Sequence, residues 1–188
     1  MDIRHPIPTN GGEWVTQFGE IWRGQVADLK KTFDGAIEEV KMPQADATDV
    51  PIIYVKRDRL VEVLKFLKET DGFDYSFLAD ITATDESSEL RFEVVYQLFS
   101  QSKLSRIRVK VRVPEGVSVP SAVSVWKGAD WAEREVYDMF GVQFEGHPNL
   151  RRILMDERWV GHPLRKDYPI KGYQIFTDPQ AVDPERLK

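Results

Sequence analysis

The chain contains no cysteine. Disulfides, thiolate nucleophiles and cysteine-held zinc or iron–sulfur clusters are therefore excluded, and any redox centre it works with belongs to another molecule. Histidine is scarce as well, with only His5, His147 and His162 in 188 residues. No apolar run reaches the roughly 18 residues that a membrane span requires, and the opening MDIRHPIPTNGGEW lacks the apolar stretch of a signal peptide. The expectation is a chain that stays in the compartment where it is made. Missing too are a Gly-x-Ser-x-Gly elbow, a phosphate-binding loop and a Gly-x-Gly-x-x-Gly after a strand, so the sequence offers no recognisable active site. A net charge of -5 argues against general nucleic-acid binding.

What is present fits one domain with an extension: 41% hydrophobic residues to fill a core and 30% charged residues for a wet exterior. Trp14, Val15, Phe18, Ile21 and Trp22 fall at helical spacing after the Asn10-Gly11-Gly12 break, which predicts a short amphipathic helix. AIEEVKM and PIIYV read as two short strands. RDRLVEVLKFLKET puts Leu60, Val61, Leu64 and Leu67 on one helical face, with Asp58 as N-cap and Asp71-Gly72 as the stop. Three alternating strands follow, in which Phe73, Tyr75, Phe77, Ala79 and Ile81, then Phe92, Val94, Tyr96 and Leu98, then Ile107, Val109, Val111 and Val113 point inward. SQSK is a hairpin turn between the last two. Arg106, Arg108, Lys110 and Arg112 are the outer stripe of the third strand, and cross-strand pairing with Glu89 and Glu93 is the simplest use for them.

A short helix is expected from Pro120 through Val123 and Trp126, and a second from Trp131 to Phe140, with Asp130 and Glu133 as a capping box and Gly141 at the C-terminal stop. On a helical wheel Trp131, Ala132, Val136, Met139 and Phe140 take the apolar half, with Glu135 among them and in need of a base, while Glu133, Arg134, Tyr137 and Asp138 take the other. Beyond Gly141, Pro148, Pro163 and Pro169 punctuate a segment without periodicity that should be extended. From Glu145 to Tyr173 this segment carries six bases against four acids in an otherwise acidic chain, and it is too rich in large apolar residues to be a linker. Something must cover it, and another polypeptide is the natural candidate.

The segment repeats Gly-His-Pro at 146–148 and 161–163. One reading is a metal site in a small hydrolase, with His147 and His162 supported by Asp156, Glu157 or Asp167, although the two lack the i, i+4 spacing of a helical ligand pair. The other treats each tripeptide as a corner followed by arginines that fork onto carboxylates or carbonyls.

ADWAEREVYDMFGVQFEGHPNLRRILMDERWVGHPLRKDYP closely resembles the signature region of the 30-kilodalton subunit family of respiratory complex I, with Glu133-Arg134-Glu135, Asp138-Met139-Phe140, His147, Arg151 and Ile153-Leu154 in the family's order and spacing. DITATDE and the RIRVKVRV strand extend the resemblance over residues 36–170; Arg158 departs from the proline and acids the family commonly has there. The resemblance implies an α+β fold with a mostly antiparallel sheet packed with helices, divided into an extension at 1–35, the domain at 36–142 and an extended partner-binding segment at 143–188. It implies a subunit of the peripheral arm of proton-pumping NADH:quinone oxidoreductase, on the cytoplasmic side of the bacterial inner membrane. Such a subunit has no cofactor of its own, since FMN, iron–sulfur clusters and quinone belong to partners, and it docks on the hydrogenase-like, 49-kilodalton-type subunit of the quinone chamber. Related hydrogenase, formate hydrogenlyase and ferredoxin-dependent complexes are the alternative setting. Carried over by that resemblance, the docking residues are Glu133, Arg134, Glu135, Asp138, His147, Arg151, Arg152, His162, Arg165, Lys166, Asp167 and Tyr168.

Overall fold

The computed structural model describes residues 11–43, 48–171 and 174, with residues 11–18 and 20 described by backbone alone. His5 and the stretch after 174 lie outside them. Five strands, β1 (Ile37–Lys41), β2 (Ile52–Val55), β3 (Phe77–Asp85), β4 (Phe92–Ser100) and β5 (Ser105–Val113), form one sheet in the order β1-β2-β5-β4-β3. Every neighbouring pair is antiparallel except β2 with β5. Three helices, α1 (Gly11–Thr32), α2 (Leu60–Glu69) and α3 (Ala129–Phe140), join the inward side chains of the sheet in a single core, and β6 (Val119–Pro120) pairs in parallel with β7 (Phe144–Glu145). The expected α+β class with a mostly antiparallel sheet is what the chain adopts.

Alternation identifies β4 and β5 correctly, and Phe92, Val94, Tyr96, Leu98 and the four inward residues of β5 are all buried. In β3 the face changes. A bulge between Leu78 and Asp80 reverses the alternation, so Phe77 is 48% exposed while Ile81, Ala83 and Asp85 point inward. On the outer face Glu93 meets both Lys110 and Arg112, as expected, but Glu89 is not the second acid. Arg112 turns instead to Glu39 on β1 and lies over the Tyr54 ring, and Arg108 reaches Asp49.

Three local expectations are corrected. Asp58 does not cap α2, because a single 3-10 turn at Arg57–Arg59 precedes the helix and Asp58 pairs with Arg57. Residues 121–126 form a turn, not a helix, with the N–H groups of Val125 and Trp126 both donating to the Ala122 carbonyl. The first helix is also longer than the sequence spacing suggested, at 22 residues.

The largest correction concerns α3. It begins at Ala129 without a side-chain cap; Glu133 is fully buried, whereas Trp131 is 64% exposed and Glu135 lies on the surface without the buried base expected for it. The wheel assumed one buried face. In fact Ala129, Glu133, Val136 and Phe140 make an i, i+4, i+7, i+11 stripe toward the sheet, and Arg134 and Asp138 make a second stripe that the C-terminal segment covers. Hydrophobicity alone cannot place carboxylates on an inner face.

Candidate docking site

The C-terminal segment, from His147 to Lys171, has almost no regular structure, yet it folds back along α3 as a strap. Gly141 ends the helix in the left-handed region, at φ 78°, with its N–H on the Tyr137 carbonyl. The chain then turns through β7 and returns over the stripe that carries Arg134 and Asp138.

Asp138 is the centre of the clasp. One carboxylate oxygen accepts from Arg152 Nη1 at 2.6 Å, and the other accepts the backbone N–H groups of Ile153, Leu154 and Met155 at 3.0, 2.8 and 2.8 Å. Burial pushes this carboxyl up, but the Met155 N–H, the Arg152 guanidinium and the Leu154 and Ile153 N–H groups more than reverse it, leaving it below the ordinary aspartate value. A strap without periodicity has backbone donors to spare, and one buried carboxylate satisfies three of them. Arg134 supplies the converse, donating to the carbonyls of Arg151 and Arg152 at 3.1 Å each while its guanidinium lies 5.0 Å over the Trp131 ring.

The two Gly-His-Pro copies hold opposite ends of α3. His147 Nδ1 accepts the Asn149 N–H, so its Nε2 donates to the Asp130 carbonyl. His162 Nδ1 meets the Asp138 carbonyl at 2.9 Å, beside Gly141. Eight helical residues, about 12 Å at 1.5 Å per residue, separate their anchors. Among the described residues no group of three or more histidines, aspartates or glutamates is placed to hold a metal ion, so the structure does not bring the two histidines together as ligands.

A second knot ties the strap to the sheet. Asp85 accepts from Arg91 and from the Lys166 N–H; Arg91 also pairs with Glu115 and Asp167, and Arg165 pairs with Glu115 and donates to the Phe140 carbonyl. Burial raises the Asp85 carboxyl, but Arg91 and the Lys166 and Ser87 N–H groups bring it down to about 2. Sequence reading missed Asp85, Arg91 and Glu115. The only signal was DITATDE within the matched region, since Asp85 lies 81 residues from Lys166 and no local pattern spans that distance.

Acid should therefore open the strap in two stages. His162 sits below its ordinary value of 6.5, chiefly through burial and then through Arg165 and Arg152, so its neutral form favours the fold above that pH and this contribution is lost below it. The Asp85 contribution is present above the ordinary carboxylate value of 3.8 and disappears as pH falls toward about 2. Amide exchange at Leu154, Met155 and Lys166 followed from pH 7 downward should show a weakening below 6.5 and a collapse between 4 and 2; a flat profile to pH 3 would contradict the first stage.

Glu133 belongs to the core instead. Its carboxylate accepts from Ser121 Oγ at 2.7 Å and from the Ala122 N–H at 2.6 Å, fixing the turn before α3, and burial pushes its pKa up. Glu133→Gln keeps an acceptor for Ala122 and removes a buried charge, so its melting temperature should equal or exceed wild type at pH 7. Glu133→Ala strands two buried donors and should cost about 2–4 kcal/mol in urea titration. Equal losses in both would show that the charge itself is needed.

Of the other residues in the candidate set, Glu135, Arg151, Lys166 and Asp167 are exposed, and Tyr168 stacks on Trp159 at 6.5 Å beneath Gly161. Arg151 and Arg152, adjacent in sequence, thus part: the first faces solvent and the second is committed to Asp138.

The model of the family described as respiratory-chain NADH dehydrogenase, 30 Kd subunit, matches residues 53–174. The chain is 47% identical over 149 residues to the C-type subunit of NADH-quinone oxidoreductase from Citrifermentans bemidjiense, covering 78% of this chain and 89% of that one. It is 46% identical over 157 residues to the combined C/D-type subunit of NADH-quinone oxidoreductase from Bdellovibrio bacteriovorus, covering 82% of this chain but 27% of that longer one. Among solved structures, a chain of the archaeal membrane-bound sulfane sulfur reductase superposes with a TM-score of 0.62 at 24% identity, over 80% of this chain and 86% of that one, which is a likeness of fold.

Proposed function

This chain belongs to the respiratory-chain NADH dehydrogenase 30-kilodalton subunit family, the C-type subunits of NADH-quinone oxidoreductase, and we propose that within that enzyme it has a structural role, docked on the D-type subunit. The observation that carries the partner is the pair of relatives, in Bdellovibrio bacteriovorus and Azotobacter vinelandii, whose names join C with D and in which the region matching this chain is 27% and 29% of a longer polypeptide. Sequences fused in some species are held together at high effective concentration, an arrangement suited to subunits that associate where they are separate.

The D-type partner meant is the 49-kilodalton subunit of the quinone chamber. The contribution of this chain is geometric: FMN, iron–sulfur clusters and quinone are left to partners, in keeping with a chain free of cysteine ligands. No described helix is long and apolar enough to cross a membrane, which is consistent with a peripheral place on the cytoplasmic side of the inner membrane, reached through the complex. Residues 143–188 are the partner-facing segment and 36–142 the domain that carries it. Within the candidate set, Glu135, Arg151, Lys166, Asp167 and Tyr168 are the direct docking contacts, while Arg134, Asp138, His147, Arg152, His162 and Arg165 act by shaping the surface.

Co-expression of the full chain with the 49-kilodalton-type subunit of the same genome tests this. A stable one-to-one complex on size exclusion is expected, and deletion of the chain in cells should abolish NADH-driven quinone reduction until the gene is restored. Full quinone reduction in the deletion strain would reject the reading.

A further inference from the structure

The clasp on α3 bears on when the strap forms. A free tail that folds only on its partner keeps its backbone donors and charged groups solvated until then, and needs few contacts with its own domain. This strap is the opposite. The N–H groups of Ile153, Leu154, Met155, Leu164 and Lys166 all end on acceptors of the chain's own domain: three on Asp138, one on the Met139 carbonyl and one on Asp85. Arg152 has 13% of its side chain exposed and Arg165 17%, with their charges answered by Asp138 and Glu115. Such groups are costly to leave buried without partners, so once α3 is in place these contacts hold the strap on it.

Leu150 and Met155 of the strap pack against the core, but others of its apolar side chains point out. Leu154 is 61% exposed, Val160 75% and Leu164 55%, and Trp131, 64% exposed, stands on α3 where Arg134 joins helix to strap. Leu154 and Leu164 are both anchored in the last turn of α3, through the Asp138 carboxylate and the Met139 carbonyl, while Trp131 lies near the start of that helix. Single exposed apolar residues are ordinary on protein surfaces, but three on one clasped segment, with Trp131 on the helix that holds it, mark an interaction surface.

We infer that the strap is completed within this chain before assembly, and that the partner binds a preformed apolar ridge of Trp131, Leu154, Val160 and Leu164 rather than capturing a loose tail. The occupant is the 49-kilodalton-type subunit; this part rests on the function proposed above. Gln174 exchanges two hydrogen bonds with the Val160 backbone, which places it beside the ridge. In the two C/D-type relatives the region matching this chain is 27% and 29% of a longer polypeptide, so there it is joined covalently to the D-type part.

Two measurements on the full-length chain decide the matter. In hydrogen–deuterium exchange of the isolated chain at pH 7, the five strap amides should exchange at least about 100-fold more slowly than an unstructured backbone. Rapid exchange without the 49-kilodalton-type partner, with protection appearing only on its addition, would overturn the preformed strap. Leu154→Asp and Leu164→Asp should then keep that protection, since both side chains are exposed, yet bind that partner at least about 10-fold more weakly. Wild-type binding by both folded variants would overturn the ridge. Failure of the wild-type chain itself to bind the 49-kilodalton-type partner would instead remove the partner and the ridge, and the exchange result alone would still decide whether the strap is preformed.

Discussion

Asp138→Ala is expected to release the strap while the sheet stays folded. The carboxylate has no exposed surface and serves one guanidinium and three backbone N–H groups. Removing one side of a buried charged pair typically costs about 3–5 kcal/mol, and each stranded buried donor adds about 1–3 kcal/mol. These terms exceed what the strap gains by lying on α3, so the cheaper response is for residues 150–171 to leave and take their donors to water. The loss in global stability is thereby capped near the cost of one broken pair, about 3–5 kcal/mol. Exchange should discriminate: amides of Ile153, Leu154, Met155 and Lys166 lose protection, and those of β4 and β5 keep theirs. Asp138→Asn, with the same shape but one acceptor oxygen, can serve Arg152 or the three amides but not both, and should fall between. Full protection at 153–155 in the alanine variant would mean that the crown is incidental to strap docking.

The same carboxylate shows what a sequence can and cannot disclose. Strands β4 and β5 are legible because period-two alternation over nine residues has one interpretation. The end of α3 is legible because Gly141 supplies the positive φ that the stop needs. The bulge in β3 is not, since one extra residue leaves the apolar pattern plausible in either register. A helical wheel puts Asp138 and Glu133 on an outer face, because charge ordinarily marks the solvated side. Each is buried because backbone donors, at 153–155 and at 122, arrive from segments whose paths the local pattern does not contain. The resemblance marked both as positions of note without saying what they hold. As for the apolar, arginine-bearing tail, its need for a cover was readable from composition, but the first cover it meets is its own helix, and that follows only from the turn at Gly141 and the acceptors waiting on α3.

That turn carries the second large effect. A Cβ on Gly141 would lie 2.5 Å from Arg165 Nη2 and 2.6 Å from the His162 ring, and φ there is 78°. Gly141→Ala therefore meets two penalties, about 1–2 kcal/mol for a side chain in the left-handed region and the displacement of both strap residues. Arg165 can swing its tip away only by giving up the Phe140 carbonyl or Glu115, and His162 only by leaving the Asp138 carbonyl. Together these should bring the loss to about 3–4 kcal/mol, with exchange at Leu164 and Lys166 rising first. Gly146 provides the internal control, because it has nearly the same φ, 79°, and nothing within 4 Å of a built Cβ. Gly146→Ala should show the backbone penalty alone, about 1 kcal/mol, with the strap amides unchanged. Equal losses at the two glycines would reduce Gly141 to an ordinary helix stop; a larger loss confined to Gly141, with early exchange at Leu164, would make the close approach of His162 and Arg165 the reason only glycine fits there.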